Sequence, residues 1–230
     1  MIKKALVTGA SGNMGRAVIK KFLDEGYYVI GTMIPGDPAA LEIEHANFEK
    51  SVVDLLNEED AESFITTLIE KHTAIDVAVL TVGGFAMGTI KETTTVQIAK
   101  QISINFETAY NIARPVFNQM IKQLSGRIFL TGSRPGMEAQ QGNGMVAYSL
   151  GKSLLFRLAE LMNIEAKGIN VVTSVIVPGT IDTVANRKAM PEADFSKWVK
   201  AEDIAEIICF YCSDKASAIS APVLKLYNNQ

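Results

Sequence analysis

Ile75-Asp76-Val77-Ala78-Val79-Leu80 is apolar at nearly every position rather than at every second one. That is the pattern of a strand buried on both faces, and such strands belong to parallel sheets covered by helices on both sides. The rest of the chain keeps to this plan. Lys4 to Thr8, Tyr27 to Thr32, Ser51 to Val53, Gly126 to Ser133, Ile169 to Val177 and Pro222 to Tyr227 read as further strands. Helical spacing fills the intervals: Ala17, Val18, Phe22 and Leu23 up to Gly26, then Leu56 to Lys71, Thr94 to Leu124 as two pieces, Tyr148 to Ala166, and Ala201 to Cys212. No linker, internal repeat or low-complexity segment interrupts the alternation. The sequence therefore predicts one α/β domain over residues 1–230, a doubly wound, mostly parallel sheet of about seven strands with helices on both faces.

Ligands of such sheets sit outside the carboxyl ends of the strands, so the residues there matter most. The first strand ends in Thr8-Gly9-Ala10-Ser11-Gly12-Asn13-Met14-Gly15-Arg16, a Gly-x-x-Gly-x-x-Gly turn leading into a helix. Glycines let the backbone approach a ligand closely, and the helix end beyond them offers free N–H groups and positive dipole to an anion such as a pyrophosphate. The second strand is followed by Pro35-Gly36-Asp37-Pro38. An acidic residue ending that strand would take ribose hydroxyls and a basic one a 2′-phosphate; Met33 stands at that place, and Asp37 comes several residues later. Asp54-Leu55, after the third strand, would either flank an adenine or cap the next helix. Thr81-Val82-Gly83-Gly84 ends the fourth strand with residues small enough for the backbone to line a ligand, and Ser133 ends the fifth.

Tyr148-Ser149-Leu150-Gly151-Lys152 opens a helix whose Leu154, Leu155, Leu158, Leu161 and Met162 form a wide apolar stripe. Residues four apart share a helix face, so the Tyr148 phenol and the Lys152 ammonium can share one site. A free tyrosine titrates near pH 10, and a neighbouring positive charge favours the phenolate. Beyond Pro178-Gly179, the stretch from Ile181 to Lys200 is loop-like and long, which in a compact domain is usually functional. It carries Met190, Phe195 and Trp198, which either close over a ligand as a lid across 182–200 or pack onto the domain.

Composition narrows the function. The 230 residues are 48% apolar and 20% charged with a net charge of -3, which describes a globular chain without the basic surplus of a nucleic-acid binder. No apolar run approaches the 18 or so residues of a membrane span, and Met1-Ile2-Lys3-Lys4 leads straight into a strand. A cytoplasmic protein without a membrane partner is expected. Cys209 and Cys212 fall inside an apolar helical run and read as buried thiols, His45 and His72 as surface residues, so no metal site is expected.

Thr8-Gly9 with its later glycines, Asn105, Ser133, Tyr148-x-x-x-Lys152 and Pro178-Gly179 followed by Thr180 and Thr183 together resemble, in order and over the whole chain, the short-chain dehydrogenase/reductase family. The resemblance implies a single Rossmann domain binding NAD(H) or NADP(H), a carbonyl or alcohol substrate, and assembly into a homo-oligomer, dimer or tetramer. It makes Tyr148 the proton donor to a carbonyl oxygen and Ser133 a second donor to it. Lys152 would lower the Tyr148 pKa and bind the nicotinamide ribose, and Asn105 would hold a water linking Lys152 to solvent. Cofactor contacts are implied at Gly9, Ser11, Gly12, Asn13, Met14 and Gly15, then at Met33, Asp54, Leu55, Thr81, Val82 and Gly83, and finally at Tyr148, Lys152, Pro178, Gly179, Ile181 and Thr183. A narrower resemblance joins residues 182–198, the Gly9 turn and Gly83-Gly84-Phe85 to dihydropteridine reductases, although Met33 replaces their NADH-selecting aspartate and Ser133 is a residue the animal enzymes lack. Three functions follow: carbonyl reduction, reduction of a quinonoid pterin, or a catalytically silent dinucleotide sensor, against which the intact tetrad argues.

Overall fold

The computed structural model describes residues 2–37, 39, 41–220 and 223–228. Seven parallel strands form one sheet: β1 (Lys4–Thr8), β2 (Tyr28–Met33), β3 (Phe48–Val52), β4 (Val77–Leu80), β5 (Ser125–Thr131), β6 (Asn170–Pro178) and β7 (Val223–Leu226). Their order is β3-β2-β1-β4-β5-β6-β7. The chain reverses direction of travel across the sheet between β1 and β4, which are paired with Val7 opposite Val79, and a crevice opens at that switch point. Pro38 and Pro222, which the sequence placed in a turn and at the start of the last strand, lie outside the described residues.

Helices cover both faces. Helix α1 (Asn13–Asp24) and α8 (Ala201–Tyr211) lie on one side; α2 (Glu58–His72), α4 (Thr108–Gln123) and α6 (Val146–Glu165) lie on the other. Alternate residues of the central strands feed the two layers: Leu6, Ala78, Leu80, Ile128 and Leu130 on the α4/α6 side, and Ala5, Val7, Val77, Val79 and Phe129 on the α1/α8 side. Phe22, Phe129, Ile65 and Ile112 are completely buried, each contributing on the order of 2–3 kcal/mol of hydrophobic stabilisation. Among the described residues no helix is long and apolar enough to cross a membrane.

One expectation is refined and two are corrected. The 94–124 stretch contains two α pieces, α3 (Thr95–Ile102) and α4, but they are fused through a π-helical turn at Ser103–Glu107 rather than broken. His72 is a half-buried residue, its Nε2 3.1 Å from the Glu49 carboxylate and its ring 4.9 Å from that of Tyr28; His45 is exposed. Cys209 and Cys212 are free and only partly buried. The segments read as loops also hold local order: α5 (Arg134–Met137) follows Ser133, and α7 (Val184–Ala189) with a 3-10 turn at Phe195–Lys197 lies within residues 181–200.

Candidate active site

The glycine turn is built by close packing. Gly9 has φ +65°, and a Cβ there would meet Thr81 Oγ1 at 2.7 Å. A Cβ on Gly15 would come within 2.2 Å of the Gly9 carbonyl oxygen, so the third glycine seats α1 against the turn. Thr81 Oγ1 donates to the Thr8 carbonyl at 2.7 Å and Thr81 N–H donates to Thr8 Oγ1 at 3.1 Å, tying the ends of β1 and β4 together.

Beside this turn lies a cleft of about 340 Å³, lined by Gly9, Ser11, Gly12, Met33, Asp54, Leu55, Thr81, Val82 and Gly83. These nine positions were expected from sequence. The cleft also takes Thr32, Ile34, Asp37, Val53, Leu56, Ile104 and Thr108. Asp37 is the informative addition: four residues late in sequence, it is returned to the cleft by a turn in which Gly36 adopts φ +73° and Asp37 N–H bonds back to the Ile34 carbonyl. Its carboxylate accepts from Ser11 Oγ and from Ala39 N–H. The Ser11 bond first, then the Ala39 bond, hold the Asp37 carboxyl below its usual range. Arg16 also bonds into the turn, its Nε donating to the Ser11 carbonyl at 2.8 Å. The Pro35-Gly36 pair was the signal in the sequence that could have found Asp37. Asn57, not Asp54, caps α2, and Asp54 lines the cleft and accepts from Leu56 N–H at 3.0 Å.

Other expected contacts lie outside the cleft lining. Met14 is buried in the α1/α8 core, so only its backbone is available, while Asn13 is exposed at the start of α1. Pro178 ends β6, and Gly179 N–H donates to the Leu226 carbonyl. Ile181 bridges to Val199, and Thr183 Oγ1 caps α7 by accepting from Asn186 N–H.

The four tetrad positions converge at the ends of β4 and β5. Ser133 is the N-cap of α5, its Oγ accepting from Gly136 N–H at 3.2 Å, and its hydroxyl stands beside the Tyr148 phenol. A Cβ on Gly136 would stand 2.6 Å from Lys152 Cβ, so α5 lies directly on α6. Lys152 is 4% exposed and donates from Nζ to the Thr131 carbonyl at 2.6 Å. Burial drives its pKa down to about 8. The phenol of Tyr148 is instead pushed up by burial, with the Ser133 hydroxyl acting in the opposite sense. Lys152 is not among the groups that shift Tyr148, and its ammonium is directed to the Thr131 carbonyl. Phe85 packs edge-on against the Tyr148 ring at 5.2 Å.

Asn105 sits on the helix side of the site. It is completely buried in the π turn. Its Oδ1 accepts from Gly84 N–H at 3.0 Å, while Nδ2 donates to the Gly84 carbonyl at 3.0 Å and to Gln101. An amide nitrogen has two protons, so protein groups already satisfy it, and the side chain clips the 83–84 backbone to the helix. A Cβ on Gly83 would fall within 3 Å of both Asn105 Oδ1 and Lys152 Nζ. The clip thus holds the cleft wall against the lysine.

The C-terminal half of the 182–200 loop is anchored. Trp198 is 7% exposed, Val199 exchanges backbone bonds with Thr180 and Asp182, and Asn228 Nδ2 donates to the Trp198 carbonyl. Trp198 is therefore part of the body, its ring tilted against that of Phe195 with centroids 4.7 Å apart, whereas Met190 and Val184 are exposed.

These residues fit a nicotinamide dinucleotide. The collision-free glycine turn admits a pyrophosphate beside the N-terminus of α1, the apolar wall of Val53, Leu55 and Ile104 suits an adenine, and the cleft leads past Gly83 to Lys152.

Comparison with known proteins agrees. A family model described as short chain dehydrogenase matches residues 3–194. An acetoacetyl-CoA reductase of Acinetobacter sp. is 31% identical over 184 residues, covering 77% of this chain and 73% of that one. A dihydropteridine reductase of Dictyostelium discoideum is 28% identical over 90% of this chain and 86% of that one. Among solved structures, ElxO with NADP bound superposes with a TM-score of 0.88 at 23% identity, covering 98% of this chain and 97% of that one. A short-chain oxidoreductase from Burkholderia thailandensis superposes with a TM-score of 0.84 at 26% identity, covering 98% and 91%. The chain belongs to the short-chain dehydrogenase family of NAD(P)-dependent oxidoreductases.

Proposed function

We propose that the enzyme interconverts a carbonyl compound and its alcohol, with Tyr148 as the proton donor and Ser133 as the second donor to the carbonyl oxygen. The observation that carries this reading is the placing of the Tyr148 phenol beside the buried Ser133 hydroxyl, next to a buried lysine. The bound nicotinamide supplies or accepts the hydride. Negative charge then develops on one oxygen, and two preplaced donors stabilise it there. Because burial raises the Tyr148 pKa, the phenol carries its proton at neutral pH, as a donor must. Lys152, titrating at about 8, is mostly cationic at pH 7 and has two further N–H donors beyond the one bound to Thr131, for the ribose and for a phenolate left by proton transfer.

The same reading assigns ribose recognition to Asp37 and Ser11. A carboxylate held ionised in the cleft attracts ribose hydroxyls and repels a 2′-phosphate, which supports NADH as the preferred cofactor. It also includes a homo-oligomer, supported by α6: Leu150 (46% exposed), Leu154, Leu161 and Ile164 leave an apolar stripe in solvent along one helix face.

A second reading, reduction of a quinonoid dihydropterin, is supported by the 182–198 loop resemblance and the Dictyostelium relative. In that ring system charge spreads over nitrogens, so a donor aimed at one oxygen contributes little. Steady-state kcat/KM across a panel of ketones, aldehydes and quinonoid dihydropterin separates the two. Carbonyl turnover is expected to be faster, to fall about 10²-fold or more in Tyr148→Phe, and to fall about 10² to 10³-fold in Ser133→Ala. A dihydropterin rate above every carbonyl rate that survives Ser133→Ala establishes the second reading instead.

A further inference from the structure

Arg134 directly follows the serine of the site and begins α5. Its guanidinium carbon lies 4.5 Å from the ring centroid of Tyr227, which stands just beyond β7. The preceding residue, Leu226, accepts a bond from Gly179 N–H at the end of β6, so Arg134 and Tyr227 occupy the same carboxyl-end rim as Ser133 and Tyr148. Among the described residues both are unsatisfied: Arg134 Nε and the Tyr227 hydroxyl are buried without a hydrogen-bond partner.

Arginine is always cationic, and a buried donor without a partner is costly. Nearby charge does not answer it. Glu138, the adjacent carboxylate, is 3.7 Å from the Lys225 ammonium. It acts electrostatically on the Tyr227 phenol, whose pKa burial chiefly raises, but the hydroxyl forms no hydrogen bond of acceptable geometry with it. Two cations and one anion leave one positive charge unmatched, and among the described residues Arg134 has no ion-pair partner. A structural arginine stacked on a ring would be expected to use its planar fork on a carboxylate or carbonyl.

We propose that Arg134, supported by the Tyr227 ring and hydroxyl, recognises a carboxylate on the substrate, so that the favoured substrates are oxo acids rather than neutral carbonyl compounds. The guanidinium fork matches the two oxygens of a carboxylate, and Tyr227 is a third donor beside it. This rests on the carbonyl-reduction reading above and adds which carbonyls are taken. Arg134 is a specificity-determining residue here, one position removed from the group that contacts the reacting oxygen.

The test compares each oxo acid with its methyl ester, beginning with acetoacetate and methyl acetoacetate, in the wild-type enzyme, Arg134→Met, Arg134→Lys and Tyr227→Phe. The wild type is expected to favour the acid at least tenfold in kcat/KM. In Arg134→Met the acid-to-ester ratio should collapse towards one, chiefly through KM for the acid, with Arg134→Lys retaining part of it and Tyr227→Phe lowering it a few-fold. A wild type without acid preference overturns the proposal, as does an Arg134→Met variant that loses acid and ester activity in equal proportion. An unchanged acid preference in Arg134→Met with an altered sedimentation coefficient assigns the arginine to an interface between copies and overturns it too. If no carbonyl is turned over, the carbonyl reading fails by itself. The acid-dependent rise in denaturation midpoint, with and without Arg134, then decides the proposal: loss of that rise in Arg134→Met upholds it, and equal shifts with acid and ester refute it.

Discussion

Lys152 should weaken the fold it serves. Its pKa falls from 10.5 to about 8 through burial alone. At about 1.4 kcal/mol per pKa unit, the charged form is about 3 kcal/mol less favourable in the folded protein than in the unfolded chain at pH 7. The sign follows from proton counts. Between pH 8 and 10.5 the unfolded chain binds the proton and the folded one does not, so stability rises with pH through that window, and the penalty is full below it. Lys152→Met keeps the stem and removes the charge, but also removes the bond to the Thr131 carbonyl, a loss of about 1 kcal/mol. The variant should therefore be about 2 kcal/mol more stable than the wild type at pH 7 and about 1 kcal/mol less stable above pH 10.5. For a chain of this size the first figure corresponds to a midpoint about 4–8 °C higher. Urea unfolding of both proteins at pH 7 and 10.5, without added nucleotide, measures the difference, and turnover of the variant should be almost abolished. A variant less stable than the wild type at pH 7, or a difference independent of pH, would refute the reasoning.

Asp37→Ala should raise kcat/KM with NADPH relative to NADH by about tenfold or more, since about 1.4 kcal/mol of lost repulsion suffices; a ratio that does not move shows that Asp37 does not face the ribose. Residues 184–195 should gain hydrogen-exchange protection on saturation with cofactor while Trp198 to Lys200, already bonded to the domain, do not. Equal behaviour of the two halves would remove the lid.

The glycine turn, the strand ends and the Tyr148 helix were legible in the sequence because each depends on neighbours in the chain: a buried strand declares itself by continuous apolar residues, and a Tyr-x-x-x-Lys pair shares a face by helical geometry alone. Family resemblance then supplied the roles. What the chain order could not show depends on residues brought together from far apart. Asp37 is four positions late when counted along the chain from Met33, yet a glycine at φ +73° turns it back onto Ser11, 26 positions away. Asn105 reads as an indifferent helix residue until a π turn swings its amide onto Gly84. Trp198 belongs by composition to a loose loop, but backbone pairing with Thr180 and Asp182 and a bond from Asn228 fasten it down. The charge states, too, were decided only in three dimensions. A sequence places Lys152 beside Tyr148, whereas burial determines that the lysine titrates near 8 and the tyrosine above its ordinary value, because desolvation depends on everything packed around a group and not on the residue four positions away.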